Sequence, residues 1–429
     1  MLARVWNSRI RSVLWFESLE SRDVPATLVG SGNEFPVAYE ENGHAPVVHD
    51  VATNSDGYTV AAWLMYDLKS VKAQRYDPSG NAVGSLITVV SATAQYDHVG
   101  FGNVDIDDSN NFVVGYNYYF AQDGKESAIV KKINWNGGSV GTVVVASDYQ
   151  DENNDWWGVQ ISDVAVNHNG EVVVGWFKAK ADPGGASPND FVEVLQTTTY
   201  NNQLVKQADT VVATYDPPDT GTVVSSPGEI RLARSGTNQG WVTTWGVVTL
   251  DYAQNPNGIL VSTDLLYKSY GETGSAGSTG TVGGDLYGVS GGPANSSHAV
   301  AMQDNGNFIV AWLQNDSDFM ARRYGSNGGS EFTVTSGDAW FGVDVAVDSQ
   351  GRTVFAYSAL NNEAYMRYQE PAGSISAAIL MTTGNVGTYG SHPKLGMSEI
   401  GTVFGLFSGW INDGNYVGFG LLGRRFAIQ

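Results

Sequence analysis

The chain has 429 residues, Lys+Arg 23 against Asp+Glu 44 for a net charge of −21, and Cys 0. The missing cysteine excludes disulfide scaffolds, thiolate-held zinc, iron–sulfur clusters and thiol catalysis, and the acidity excludes nucleic acid, since phosphate neutralisation needs clustered Lys and Arg. With 42% hydrophobic and only 16% charged residues the chain can bury a core, and Gly 52 against Pro 13 in a Val- and Thr-rich sequence points to many short strands joined by tight turns.

Residues 1–26 carry Arg4, Arg9, Arg11 and Arg22 without the uninterrupted apolar stretch of about 7–15 residues that a secretory signal needs. No run of about 18 apolar residues occurs anywhere, so no spanning helix is expected. Phe16-Glu17-Ser18-Leu19-Glu20-Ser21-Arg22-Asp23-Val24-Pro25-Ala26 resembles the short N-terminal signature F/L-E-x-L-E-x-R-x-x-P-A of many large secreted or surface proteins of planctomycete bacteria. That resemblance implies export, and so an extracellular or cell-surface location. The alternative for residues 1–26 is a basic amphipathic helix with Leu2, Val5 and Ile10 on one face.

From about residue 30 onward one unit recurs seven times. Its centre is a strand ending in an aromatic: Thr59-Val60-Ala61-Ala62-Trp63, Phe112–Tyr116, Val172–Trp176, Trp241–Trp245, Phe308–Trp312 and Thr353–Tyr357, with Leu406 closing the seventh. Successive markers are 53, 60, 69, 67, 45 and 49 residues apart. A turn of residues that tolerate positive φ precedes each marker strand, as at Asp56-Gly57, Asn110-Asn111 and Gln350-Gly351. Before the turn lies another strand with period-two alternation, such as Val164-Ala165-Val166. A third strand ending in Arg and an aromatic follows the marker (Arg75-Tyr76, Arg323-Tyr324, Arg367-Tyr368), and a fourth completes the unit.

Four antiparallel strands repeated radially make a β-propeller, here all-β and seven-bladed. Immunoglobulin-like sandwiches need about 100 residues per unit, which these spacings do not supply. The seventh unit ends at its third strand, Gly423–Gln429, while Gly32-Asn33-Glu34-Phe35-Pro36-Val37 matches the fourth strand Gly329-Ser330-Glu331-Phe332-Thr333-Val334 of unit five. The N-terminal strand, about 30–38, is therefore expected to pair with Val417–Phe426 and close the ring, making 27–429 a single domain. The unit also resembles the G-x-F-V-V-A-W … A-R-R-Y-D-x-x-G repeats of secreted bacterial proteins. That resemblance covers nearly all of residues 43–429, fades in units three and four, and implies an extracellular repeat protein with no catalytic residues to carry over. The Gly/Ser-rich stretch Gly271–Gly284 reads as a flexible surface loop.

Candidate ligand-binding residues sit in the loops that open beside the channel: Tyr96, Asp97 and His98; Asp155, Trp156 and Trp157; Asp338 and Trp340; Tyr389 and His392. Rings beside carboxylates suit sugar recognition, because a flat ring covers apolar C–H surface while the acid accepts from hydroxyls. The competing reading is that the tryptophans fill gaps between blades. At the start of the inner strands Asp50, Asn103, Asp163, Arg231, Asp344 and Lys394 recur, either as a mixed channel-mouth ring or as acceptors of nearby backbone N–H groups. Asp105, Asp107 and Ser109 alternate as calcium ligands would, although the twelfth position is Tyr116 and a hairpin turn explains the same residues. Calcium is thus the one cofactor to consider. His49 and His298 each stand 14 residues before a marker Trp, a spacing that the repeat explains.

With no catalytic constellation in sight, two functions stay open. One is a non-enzymatic exported propeller that binds an extracellular glycan or a surface protein, expected to be a monomer. The other is a carbohydrate-active propeller, a glycosidase or polysaccharide lyase, using loop acids such as Asp97, Asp155 and Asp338.

Overall fold

The computed structural model describes residues 27–39, 45–122, 124–147, 157–181, 191–216, 223–251, 259–284, 298–315, 317–325, 329–371, 373–382, 391–412 and 417–429. Among them every regular element is a strand. Two short strands come first, β1 (Leu28–Gly30) and β2 (Phe35–Tyr39). Blade 1 is β3 (Pro46–Thr53), β4 (Thr59–Met65), β5 (Ser70–Tyr76) and β6 (Ala82–Ser91). Blade 2 is β7 (His98–Ile106), β8 (Phe112–Phe120), β9 (Lys125–Ile133) and β10 (Ser139–Ser147). Blade 3 is β11 (Trp157–Val166), β12 (Val172–Ala181), β13 (Phe191–Tyr200) and β14 (Lys206–Tyr215). Blade 4 is β15 (Val223–Arg234), β16 (Trp241–Asp251), β17 (Ile259–Tyr270) and β18 (Ala276–Gly284). Blade 5 is β19 (His298–Met302), β20 (Phe308–Gln314), β21 (Asp318–Tyr324) and β22 (Glu331–Thr335). Blade 6 is β23 (Ala339–Val347), β24 (Thr353–Ala359), β25 (Ala364–Gln369) and β26 (Ile379–Leu380), and blade 7 holds β27 (Ser391–Met397), β28 (Thr402–Asn412) and β29 (Val417–Ile428).

Each blade is a four-stranded antiparallel sheet with its first strand next to the channel, so the fold is the seven-bladed β-propeller expected from the repeat. The N-terminal strands close it as expected. β2 runs along β29 with Phe35 opposite Gly423 and Tyr39 opposite Gly420, and β1 continues the pairing with Leu28 opposite Ile428. Closure covers the edge of β29 that would otherwise offer unpaired N–H and C=O groups to another chain. It is also an apolar event. Phe35 lies between blades 7 and 1, 5.5 Å from the Tyr76 ring and 5.7 Å from Phe404, in one cluster with Trp63, Leu406 and Leu421.

Burial follows from the stacking of blades. The second strand of each sheet is sandwiched by both neighbours, and β4 is buried from end to end. Small residues in the marker strands have a packing reason: a Cβ on Gly115 would stand 2.8 Å from Ile161 and 2.9 Å from Val164 of the next blade.

Most of Gly271–Gly284 is not a loop, because residues 276–284 form β18, the fourth strand of blade 4. Its glycines accommodate rings. A Cβ at Gly280 would meet Tyr267 at 2.4 Å, and one at Gly283 would meet the Trp312 indole at 2.9 Å. Aromatic neighbours thus supply the apolar cover that the glycines lack.

Candidate functional site

The antiparallel course of each blade sends its first-to-second and third-to-fourth turns to one face of the ring. The second-to-third and blade-to-blade connections go to the other.

On the turn face, the first residue of each inner turn is mostly a buried polar group that caps its own hairpin. Asn54, Asp107, Asn167 and Asp348 are at most 4% exposed, and each accepts the backbone N–H four residues on at 2.8–2.9 Å. Residues at positive φ follow three positions later in most units, Gly57, Asn110, Gly170 and Gly351 among them. The third-strand cations reach across to the next blade here. Arg75 donates to Trp135 O, Lys132 to Gly170 O at 3.0 Å and Arg323 to Gly351 O at 3.2 Å, and within its own blade Lys132 also pairs with the Asp107 carboxylate at 3.1 Å. The recurrent Arg of the repeat is therefore a tie between blades.

Inside the channel, the acids of the expected ring are spent on the backbone of the following blade. Asp50 accepts from Val104 N at 3.2 Å, Asp163 from Leu232 N at 2.6 Å and Asp344 from Leu395 N at 2.7 Å. Asn103 donates its amide to Asp163, and Asp105, two residues deeper, accepts from Val166 N at 2.7 Å. These are the exposed edges of the innermost strands, whose N–H groups need acceptors. Arg231 pairs with Glu229 at 2.8 Å, and the Lys394 charge draws the Asp50 and Asp344 carboxyls down against the effect of burial. Burial dominates all the same. It raises Asp50 and Asp105 to about 7 and Asp163 to about 6, because the carboxylate form loses its hydration in the channel.

His49 and His298 stand opposite Trp63 and Trp312 in the strand register. Burial lowers both to about 3, so they are neutral at ordinary pH. His49 Nε2 donates to the carbonyl of His392 at 2.8 Å, which ties blade 1 to blade 7. His392 itself adopts a positive φ of 54°, and burial lowers its imidazole as well. The Asp105 and Asp107 carboxylates have protein partners throughout: Asp105 binds Val166 N and Ile106 N, and Asp107 binds Lys132 and Asn111 N.

The loop face is different. The exposed aromatic side chains among the described residues all lie at strand ends or connections on this side: Tyr39, Tyr66, Tyr96, Phe120, Trp340 and Trp410, with Tyr96 73% and Tyr66 65% exposed. His98 stacks on Tyr119 with ring centroids 4.4 Å apart. Asp97 is held inward, accepting from Tyr118 OH and Ala121 N at 3.0 Å, and the Ala121 N–H bond keeps its carboxyl below the usual range. Asp338 is exposed and lies in the connection between blades 5 and 6, whereas Asp97 lies between blades 1 and 2. Asp155, Trp156 and Tyr389 fall outside the described residues, and Trp157 opens β11.

Sequence reasoning passed over the position after each capping residue of the inner turns. It holds Ser55, Asp108, His168, Gly236, Asp304, Ser349 and Glu399. The signal was available as the next column of the repeat.

The sequence matches no established protein family and no curated protein. Solved structures show the fold. The polysaccharide lyase Uly1 superimposes with a TM-score of 0.51 at 8% identity, covering 94% of this chain and 99% of that one. A polysaccharide lyase described as an ulvan lyase gives 0.50 at 11% identity, covering 92% and 93%. A lectin of Aleuria aurantia gives 0.38 at 8% identity, covering 88% and 94%. At such identities the likeness is one of architecture, a β-propeller of this size.

Proposed function

We propose that this protein is a carbohydrate-binding propeller that presents its loop face to a glycan and holds it without cleaving it. One observation carries the reading: the exposed aromatic side chains gather on that face, while the opposite face is closed by capped turns. Rings at a wet surface cover the apolar faces of sugars, and nearby exposed groups such as Asp338 accept from hydroxyls. Two propellers of like fold are polysaccharide lyases, which supports sugars as the ligand class.

The loop acids Asp97 and Asp338 speak against two-carboxylate hydrolysis among the described residues. A glycosidase needs two carboxyl groups about 5–9.5 Å apart, and Asp97 and Asp338 sit in connections on separate parts of the ring, with Asp97 committed to Tyr118 and Ala121. Export, through the Phe16–Ala26 segment, belongs to the same proposal. No helix among the described residues is long and apolar enough to cross a membrane.

A glycan array read together with a product-release assay on the same glycans tests the proposal. Binding that weakens in Trp340→Ala and Tyr96→Ala without release of product is the expected result. Release of product overturns the non-catalytic part, and absence of glycan binding overturns the whole.

A further inference from the structure

At the mouth opposite the aromatic face the overlooked turn positions converge on the ring axis. His168 of blade 3, Asp304 of blade 5 and Glu399 of blade 7 come from blades that do not adjoin, yet one ligand atom of each lies within 4.8 Å of the others. The imidazole faces a carboxylate at both nitrogens: Nδ1 is 3.1 Å from Asp108 Oδ2 and Nε2 is 3.5 Å from Asp304 Oδ1. Asp108 is itself held by Ser55, whose backbone N–H and hydroxyl both donate to Oδ1, and Glu399 Oε2 accepts from Ser349 N at 2.7 Å.

The two imidazole contacts differ in kind. The Nδ1 contact has hydrogen-bond length, whereas 3.5 Å is beyond the ordinary range for Nε2–H donating to a carboxylate. It matches instead the separation of two ligand atoms bound to one tetrahedral ion, about 3.4 Å when each lies about 2.1 Å from the metal. An N–H donated to a carboxylate at one ring nitrogen, leaving the other bare, is also the usual orientation of a metal-binding histidine.

Gly236 occupies the same turn position in blade 4, between His168 and Asp304, and its φ lies outside the left-handed range. A Cβ there would stand 1.9 Å from His168 Nε2 and 2.4 Å from Asp304 Oδ1. Backbone conformation does not call for glycine at 236, but the gap between these two ligand atoms does.

The geometry points to a site for a first-row divalent cation of the zinc class, ligated by His168 Nε2, Asp304 and Glu399, with Asp108 orienting the imidazole. An imidazole nitrogen beside two carboxylates suits zinc, cobalt or nickel, whereas calcium and magnesium prefer oxygen alone. Three carboxylates around one imidazole also leave a negative surplus that a divalent ion offsets. Bound there, the ion clasps blades 3, 5 and 7 across the mouth and closes the channel on the side away from the glycan.

The test uses the full chain stripped with EDTA, titrated with ZnCl2 by calorimetry in excess CaCl2, and followed by melting temperature and by the visible bands of Co2+. One Zn2+ per chain that calcium does not displace, a raised melting temperature and a low-symmetry Co2+ spectrum are expected. His168→Gln and Glu399→Gln each weaken Zn2+ at least tenfold, Gly236→Ala abolishes it by filling the gap, and Asp108→Asn weakens it about 10–100-fold. Glu399→Gln lies at a partly exposed rim, so it remains informative where the His168 variant fails to fold. Zn2+ bound with unchanged affinity by Glu399→Gln and Gly236→Ala, or no stoichiometric Zn2+ in the parent protein, overturns the site.

Discussion

The two faces of the ring are made from the same repeat, yet they spend their residues differently. On the turn face the polar groups look inward: Asp107, Asn167 and Asp348 are buried, cap their own hairpins, and are bound by Lys132, Asn238 and Arg352. On the loop face the aromatic groups look outward, Tyr66 and Tyr96 most of all. Turns of uniform length can be optimised once and repeated, so they hold ties both within and between blades, as Lys132 does with Asp107 of its own blade and with Gly170 O of the next. Connections of variable length carry little of the packing and are free to carry recognition. Stability and binding should therefore separate cleanly by face.

The largest effect tests the frame common to both faces. Deleting residues 28–39 removes β1 and β2, bares the edge of β29 and takes Phe35 from between Tyr76 and Phe404. Thermal melting should then show a collapse of the cooperative transition, and an unchanged midpoint would mean that the ring does not depend on its closure.

Next in size, Lys132→Met strands the buried Asp107 carboxylate, which is 2% exposed and 3.1 Å from the ammonium it would lose. Breaking a buried pair from one side costs about 3–5 kcal/mol. Urea denaturation should show that loss, with glycan affinity of the folded fraction unchanged. On the loop face, Tyr96→Ala and Trp340→Ala invert the pattern. Glycan affinity should fall roughly tenfold per ring while stability moves by less than about 0.5 kcal/mol. A stability loss as large as that of the Lys132 variant would erase the distinction between faces.

The smallest effect belongs to the channel between them. Asp50 and Asp105 rise to about 7 and Asp163 to about 6 in the folded chain, so the native state holds more protons than the unfolded one from about pH 4 upward. Stability contributed by these acids therefore falls as pH rises through that window. His49 and His298, lowered to about 3, act in the opposite sense and add stability as pH rises toward 6.5. Between about pH 4 and 6 the three carboxyls outweigh the two imidazoles by one proton, and above about pH 6.5 the carboxyls act alone. The joint contribution to stability, read by urea denaturation at each pH, should therefore decline from about pH 4 toward pH 7.5, by roughly 1 kcal/mol after allowance for channel water. Asp50→Asn should flatten that decline, and a flat profile in the parent protein would refute it.

Much of this was legible in the chain itself. Strand, turn and marker recur at intervals set by local rules, since period-two alternation and positive-φ turns act within a few residues. That is why the blade count, the inner turns and the pairing of Gly32–Ala38 with the last strand could be read from residues 30–429. Gly271–Gly284 could not be read so. Its strand character depends on Tyr267 and Trp312, whose rings cover Gly280 and Gly283 only once blades 4 and 5 are stacked.

The channel and the two mouths were decided by closure alone. Asp50, Asp163 and Asp344 could be seen as a recurring column, but whether they met a ligand or a backbone N–H turned on how far the next blade stands from each carboxyl. His168, Asp304 and Glu399 are far apart in sequence and share no local motif, so nothing short of a closed circle sets them around one point. Local periodicity, a property of neighbouring residues, determined the blades. Convergence on the axis is a property of all seven together, and only the tertiary structure could decide it.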